Sequence, residues 1–139
     1  MNLLAMGLVA SALVPQNAVY PIVGCGTGCR YEIRQLGLPK VLDDGWVKVR
    51  VERTRRFYDH KGNQRTWRGI KSGTKTKGWN FSECTKKRFA SGTNSDRSDA
   101  WERTIFYPDG RPSIGSVMGA PYPQWEALCT ATADMRRVK

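Results

Sequence analysis

An alternation of apolar and charged residues at positions 46–53 constrains the fold of this chain more than any other feature. Val47, Val49 and Val51 occupy every second position, with charged residues between them. Because successive side chains of a β-strand point to opposite faces of a sheet, this spacing predicts a strand with one apolar and one basic face. The alternation fails at positions 53–56, Arg-Thr-Arg-Arg, so we expect the strand to twist, bulge or leave the sheet there.

Shorter segments with similar patterns, separated by turn residues, predict the rest of the fold. The turn signal at 59–63 predicts a hairpin whose return arm is residues 64–71, and the glycines at 72–78 predict a second loop. Good helix formers at 125–133 predict a short C-terminal helix. We therefore expect a mostly β, α+β domain with a small antiparallel sheet. Further strands are expected at 30–36, interrupted by Gly-Leu-Pro, at 79–84 and at 101–107, which precedes the turn at 108–112.

The first eighteen residues have no charged side chain, and residues 3–14 form an apolar run. This pattern predicts a signal peptide at 1–18 and an exported chain. A short buried helix or a retained membrane anchor is the alternative, although about 20 apolar residues are needed to span a bilayer. We expect an extended N-terminal segment at 19–29, one β-rich domain at 30–133 and a frayed basic tail at 134–139.

Four cysteines, at positions 25, 29, 84 and 129, allow three disulfide pairings in an exported chain. The glycines between Cys25 and Cys29 permit a tight turn and a local bridge, which would leave Cys84 to pair with Cys129. The longer bridge would stabilise the fold by about 4 kcal/mol and the shorter by about 2 kcal/mol in the loop-entropy model. In an alternative interpretation, the sequence Ile-Val-Gly-Cys ending at Cys25 is a lipobox and the cysteine is acylated. A zinc site is not expected, because Cys84 and Cys129 belong to no close ligand pair.

Residues 46–88 carry the whole net charge of the chain. They hold 14 of the 23 Lys and Arg residues and three of the 12 acidic residues, whereas the rest of the chain is balanced. The formal charge of +11 favours polyanions such as anionic polymers, acidic proteins or envelope surfaces. Arginine side chains can bind sulfate, phosphate or carboxylate in a bidentate manner, and Tyr58 and Trp67 can add stacking. The candidate anion-binding residues are Lys48, Arg50, Arg53, Arg55, Arg56, Arg65 and Arg68.

A simpler interpretation is that these basic residues form a solvated outer face that protects the sheet from aggregation. Catalysis has little support, because His60 is the only histidine and lies in a predicted loop. Nucleotide-binding and hydrolase motifs are absent from the sequence, so neither a metal nor a cofactor is expected. Asp96 and Asp99 resemble part of a calcium loop, but there are too few ligands and Arg97 interrupts the motif, so loop capping is expected instead.

Four stretches resemble a known family: 46–51 (Trp-Val-Lys-Val-Arg-Val), 79–84 (Trp-Asn-Phe-Ser-Glu-Cys), 107–110 (Tyr-Pro-Asp-Gly) and 122–129 (Tyr-Pro-Gln-Trp-Glu-Ala-Leu-Cys). They are similar to the surface-adhesin protein E-like domains, small exported bacterial proteins with a sheet and a C-terminal helix. The resemblance implies a bridge between Cys84 and Cys129 and, in pathogen members, adhesion to host proteins. This chain departs from that pattern in its extra Cys25 and Cys29. The odd spacing from Phe81 to Cys84 also puts these side chains on opposite faces unless a bulge intervenes.

Together these features predict an exported, non-enzymatic protein that binds anionic surfaces or acidic partners through a basic hairpin face. A structural cell-envelope domain without a specific ligand is the alternative. Nucleic acid ranks third among the partners, because export argues against it. No transmembrane span is expected in the mature chain.

Overall fold

The computed structural model describes residues 23–24, 28–114 and 121–137. Within these residues the chain forms a six-stranded antiparallel sheet in which every strand pairs with its neighbour in the sequence, followed by helix. This confirms the predicted α+β, mostly β fold. The strands are β1 (Val23–Gly24), β2 (Cys29–Val41), β3 (Trp46–Phe57), β4 (Thr74–Glu83), β5 (Arg88–Gly92) and β6 (Trp101–Arg103), and the helices are α1 (Pro121–Ala131) and α2 (Ala133–Arg137).

The predicted alternation in β3 is confirmed. Val47, Val49 and Val51 are fully buried and pack with Ile33 of β2 and Leu128 of α1. We call the face of the sheet that carries these valines the helix face and the opposite face the open face. Burial of this aliphatic cluster, at roughly 1.5–3 kcal/mol per large side chain, is a main source of the stability of the fold.

The expected bulge of β3, or its departure from the sheet, at positions 53–56 is wrong. Arg53 pairs with Ile33 and Thr76, and Arg55 pairs with Tyr31 and Thr74, without a shift of register. Strand pairing uses backbone groups, so β3 stays paired with β2 and β4 although its side chains no longer alternate in polarity.

The predicted return arm at 64–71 is also wrong, because β3 pairs with β4. Within 58–73 the strand contacts between described residues are single bridges, Tyr58 with Gln64 and Trp67 with Ile70. The positive φ angles of Arg68 and Gly69 reverse the chain inside the predicted arm. The predicted turn at 59–63 is confirmed, and Asp59 Oδ1 accepts hydrogen bonds from the N–H groups of two turn residues. Most of the predicted second loop belongs to β4.

The Gly-Leu-Pro interruption is confirmed as a bulge within β2, which is longer than predicted. Leu36 pairs with Arg50 and Lys40 with Lys48, so three residues of β2 lie opposite one residue of β3. Gly37 has a φ of 90°, which favours glycine. Proline is tolerated here because a bulge does not need its missing N–H group.

A disulfide joins Cys84, directly after β4, to Cys129 of α1, as predicted. It packs beside Phe89, Ile105 and Trp125 and fixes the helix to the sheet. Cys25 lies outside the described residues, so its pairing with Cys29 and its acylation both stay predictions. The predicted signal peptide at 1–18 and most of segment 19–29 also lie outside them.

The C-terminal helix is confirmed, but it begins at Pro121, earlier than predicted. Proline suits the first turn of a helix, where its missing N–H group would have no helical partner. Residues 134–137 of the predicted tail are helical instead of frayed, as part of α2, and Arg136 donates a hydrogen bond to Cys129 O at 2.7 Å. Strand β6 ends at Arg103, earlier than predicted, whereas the turn after Tyr107 is present.

A second apolar cluster lies on the open face. It contains Trp46, Phe81 and Ala90, with Trp79 packed against them. Phe81 and Cys84 therefore lie on opposite faces, as their spacing predicted. The loop after β5 crosses this cluster, and Lys48 Nζ donates a hydrogen bond to Ser95 O of that loop at 2.9 Å. One end of the open face is thus covered and the other is uncovered.

Candidate anion-binding surface

The seven predicted anion-binding residues do not form one surface. The register of β3 places Lys48, Arg50 and Arg56 on the open face, and Arg53 and Arg55 on the helix face. The two others, Arg65 and Arg68, lie in the irregular segment 58–73 between β3 and β4, which we call the excursion. Because successive side chains of a strand point to opposite faces, neighbouring basic residues are divided between the two faces. The prediction of one shared hairpin face overlooked this alternation.

The open face is strongly basic in its three central strands. Arg50 is exposed, and its side chain has no hydrogen bond or ion pair with another described residue. The same holds for Arg56, which is half-buried. Lys48 differs, because its ammonium group lies 5.0 Å from the centre of the Trp79 ring and binds Ser95 O. Arg50 and Arg56 are therefore available to a ligand, and Lys48 mainly fixes the loop.

Neighbouring strands add basic residues to this face that the sequence reasoning missed. Arg30 lies directly opposite Arg56, and Lys40 lies directly opposite Lys48. In β2, β3 and β4 together, eight basic and three acidic residues have open-face positions. The basic ones are Arg30, Arg34, Lys40, Lys48, Arg50, Arg56, Lys75 and Lys77.

Little of this charge is neutralised internally. Among the described residues of these three strands, the ion pair is Lys75 with Glu52 at 3.9 Å, and Lys75 is largely exposed. Exposed pairs contribute at most about 1 kcal/mol. Like charges directly opposite each other across two strands destabilise a sheet, so this face has an unfavourable electrostatic energy that a bound anion would lower.

The two helix-face arginines contact neutral groups. Arg53 Nη2 donates to Asn80 Oδ1 at 2.8 Å, and Arg55 donates from Nε and Nη2 to the hydroxyl oxygen of Tyr31 at 3.1 and 2.8 Å. Burial lowers the pKa of the Arg53 guanidinium. Arg55 also lies 5.7 Å from the centre of the Phe57 ring. Both side chains are held in place by the fold.

The excursion residues are exposed and lie away from the strand positions. The guanidinium of Arg68 lies 4.4 Å from the centre of the Trp67 ring, and Trp67 in turn packs against Phe57 at 5.4 Å. The Trp67 ring, which was predicted to stack on a ligand, is therefore already contacted by Arg68 of the chain itself. Tyr58 is similarly contacted by Arg30, at 5.6 Å.

Acidic residues order the loop that crosses the open face. Asp99 accepts hydrogen bonds from the N–H groups of Thr93 and Asn94, and Asp96 accepts one from Ser98. The predicted loop capping is thus confirmed. The backbone hydrogen bond from Asn94 lowers the pKa of Asp99. Among the described residues, no group of three or more possible metal-binding side chains is present.

Arginines of this loop and of β5 enclose Trp46. Arg97 and Arg88 lie 4.4 and 5.1 Å from the centre of its ring, and each also pairs with an acidic residue. Arg97 binds Asp44 at 3.2 Å and Arg88 binds Glu102 at 2.6 Å. These two arginines therefore stabilise the covered end of the open face and are not part of the candidate binding surface.

His60 is exposed in the turn after β3. Among the described residues, no helix is long and apolar enough to cross a membrane. No protein-family model, curated protein or solved structure matches this chain.

Proposed function

We propose that this chain is an exported, non-enzymatic protein that binds anionic polymers or acidic surfaces through the open face of its sheet. The observation that carries the proposal is the direct opposition of Arg30 and Arg56 on adjacent strands of that face, with neither in an ion pair with a described residue. An anionic group lying between them would convert a repulsive contact into two attractive ones.

The basic residues of the open face, which we call the basic strip, extend along the strands, and this length supports a linear or repeating ligand. Arg50 and Arg56, the two available arginines of β3, are six residues apart, which corresponds to about 20 Å at 3.3–3.4 Å per residue. Open-face residues two positions apart along a strand are about 7 Å apart, so several anionic groups of one polymer can be contacted in succession. An acidic protein segment or an anionic envelope surface would meet the same strip.

Export and an adhesin-like role are part of this proposal. The disulfide between Cys84 and Cys129 supports an oxidising compartment, because structural disulfides are rare in the cytosol. The resemblance to surface-adhesin protein E-like domains supports the same location and suggests attachment to an extracellular surface.

The test is retention on heparin with charge-matched variants. One variant carries Arg34→Gln, Arg50→Gln and Arg56→Gln on the open face. Its control carries Lys61→Gln, Lys86→Gln and Arg111→Gln, which removes the same charge from exposed turns. At up to about 1 kcal/mol per contact, we expect the open-face variant to bind about tenfold to a hundredfold more weakly and to elute at lower salt.

The control variant should elute close to the unmodified protein. Equal elution of the two variants would contradict the open-face proposal and favour a structural envelope domain whose charge only keeps it in solution. A third variant with Arg65→Gln and Arg68→Gln measures whether the excursion extends the binding surface.

A further inference from the structure

A separate polar cavity of about 230 Å³ lies on the helix face, where the valine cluster of β3 ends. Ile33 is its apolar wall and leads directly into that cluster. None of the described residues that line the cavity is acidic. The lining residues with polar side chains are Tyr31, Arg53, Thr76, Ser91, Arg103 and Gln124.

The fold makes room for the Arg53 guanidinium beside β4. A Cβ atom at Gly78 would lie 2.8 Å from Arg53 Nη1 and 2.6 Å from Gly92 O, so another residue there would displace the guanidinium or the backbone. Arg53 then donates to fully buried Asn80, which donates to Gln124 Oε1 of α1 at 3.1 Å. The space left by Gly78 and the hydrogen bonds that run through Asn80 to Gln124 thus fix the Arg53 guanidinium at the cavity wall.

A second guanidinium reaches the same cavity from β6. Arg103 is half-buried, lies 4.9 Å from the centre of the Trp101 ring and donates from Nη1 to Ser91 Oγ at 3.2 Å. Burial lowers the pKa of both guanidinium groups, and repulsion from Arg103 lowers that of Arg53 further, although Tyr31 acts in the opposite direction. Two positive charges are therefore held in one partly desolvated space.

The hydroxyl groups that line the cavity can also donate hydrogen bonds. Tyr31 Oη accepts from Arg55 and Ser91 Oγ accepts from Arg103, and each hydroxyl also carries a proton that can be donated to a ligand. Guanidinium groups only donate. A cavity with donors on several sides and no acidic side chain in its described lining suits a ligand that only accepts hydrogen bonds.

We propose that this cavity binds one tetrahedral oxyanion, a phosphate or sulfate group, between Arg53 and Arg103. A tetrahedral group presents oxygens toward both guanidiniums and toward the hydroxyls at once, whereas the two oxygens of a carboxylate lie in one plane. The site is on the opposite side of β3 from the basic strip of the open face. It is independent of the proposed function.

Isothermal titration calorimetry with inorganic phosphate and inorganic sulfate, at constant ionic strength in chloride, tests this site. Loss of a charged hydrogen-bonding group weakens binding by about tenfold to a hundredfold, so this is the expected effect of Arg53→Gln and of Arg103→Gln. Arg111→Gln, in the exposed turn after Tyr107 and outside both the cavity and the open face, is the matched control and should leave the affinity within about twofold. Equal weakening by Arg111→Gln, or no saturable heat with the unmodified protein, would overturn the proposal.

Two further measurements do not depend on a buried arginine being replaceable. In the unmodified protein, the side-chain Nε–H resonances of Arg53 and Arg103 should shift saturably on addition of phosphate, and that of Arg111 should not. The small change Ser91→Ala should weaken binding about twofold to tenfold, because it removes one neutral hydrogen bond. Unshifted Arg53 and Arg103 resonances would overturn the proposal even if phosphate binds elsewhere.

Methyl phosphate distinguishes a free ion from an ester group on a larger molecule. Affinity similar to that of inorganic phosphate supports recognition of an ester, and affinity at least tenfold weaker supports a site for the free ion. On heparin, the Arg53→Gln variant should elute with the unmodified protein if the cavity takes only the free ion. Loss of phosphate binding without loss of heparin retention would support the cavity and the open face as separate sites, each with its own test.

Discussion

Both faces of β3 carry two arginines, but the arginines have different surroundings on each face. On the helix face, valines continue into Arg53 and Arg55, whose guanidiniums have neutral partners on neighbouring strands. On the open face, Arg50 and Arg56 have no hydrogen-bonding or ion-pairing partner among the described residues, and Lys48 is held by the loop that covers one end. An arginine of β3 is therefore a fixed part of the fold on the helix face and an available surface group on the open face.

This difference arises because different elements of the fold cover the two faces. Helix α1, joined by the disulfide, excludes water from the valines and brings Gln124 to the end of the Arg53 chain of hydrogen bonds. The open face is covered at one end by a loop held by exposed acidic residues. We therefore expect the helix face to determine stability and the open face to respond to salt, charge and pH.

Removal of the disulfide should have the largest effect. Replacing Cys84 and Cys129 with Ala opens a 45-residue separation and should lower the free energy of unfolding by about 4 kcal/mol, measured by urea denaturation. Replacing Cys25 and Cys29 with Ser is the control and should remove about 2 kcal/mol if the predicted short bridge forms. Equal losses would mean that the longer bridge does not act by closing the longer loop.

Two leucines, one buried and one exposed, test how much burial on the helix face contributes to the free energy of unfolding. Leu128 is fully buried against the valines and Leu38 in the β2 bulge is 60% exposed. Leu128→Ala should lower the free energy of unfolding by about 2–5 kcal/mol, and Leu38→Ala by about 0.5 kcal/mol or less. Similar losses in urea titrations would contradict the assignment of the core to the helix face.

Neighbouring positions in β4 test the space around Arg53. Gly78→Ala places a methyl group against Gly92 O and the Arg53 guanidinium, and should destabilise the protein by about 1–3 kcal/mol. Lys77→Ala, next to it on the open face, should change the free energy by about 0.5 kcal/mol or less. Thermal unfolding of both variants measures the difference. A neutral Gly78→Ala would show that the guanidinium moves away at little cost.

Acid should loosen the loop on the open face before it affects the core. Hydrogen bonds hold the pKa of Asp99 below its usual range, and for Asp44 the bonds from Trp46 and Arg97 outweigh the opposing effect of burial. A lowered pKa in the folded state stabilises the fold above the unfolded pKa of about 4, and that contribution is lost as the pH falls through the folded pKa. The indole resonance of Trp46 should therefore shift below about pH 4 while Leu128 methyl resonances stay in place.

Asp99→Asn is the control for this titration. Its amide oxygen can still accept a hydrogen bond but does not ionise, so the loop should respond less to acid. An unchanged acid response of Trp46 in this variant would mean that other groups hold the loop.

The periodicity of single strands was enough to predict part of the candidate surface. Val47, Val49 and Val51 and the basic residues between them lie on the predicted faces, because the pleat fixes side-chain direction locally. The same period assigns Arg30 and Arg34 to one face of β2, and applying it there would have found them. The return strand was misplaced, because the turn at Arg68 and Gly69 depends on local backbone angles and the choice of β4 as partner depends on long-range pairing.

The sequence by itself determined the strand phases, the C-terminal helix, the confinement of net charge to residues 46–88 and a consistent pairing of Cys84 with Cys129. Only the tertiary structure decided which arginines share a surface. It set Arg30 opposite Arg56 and brought Arg103 to the cavity that holds Arg53. The reason is that the direction of a side chain is a local property of the strand, whereas its neighbours depend on register and on which strands meet.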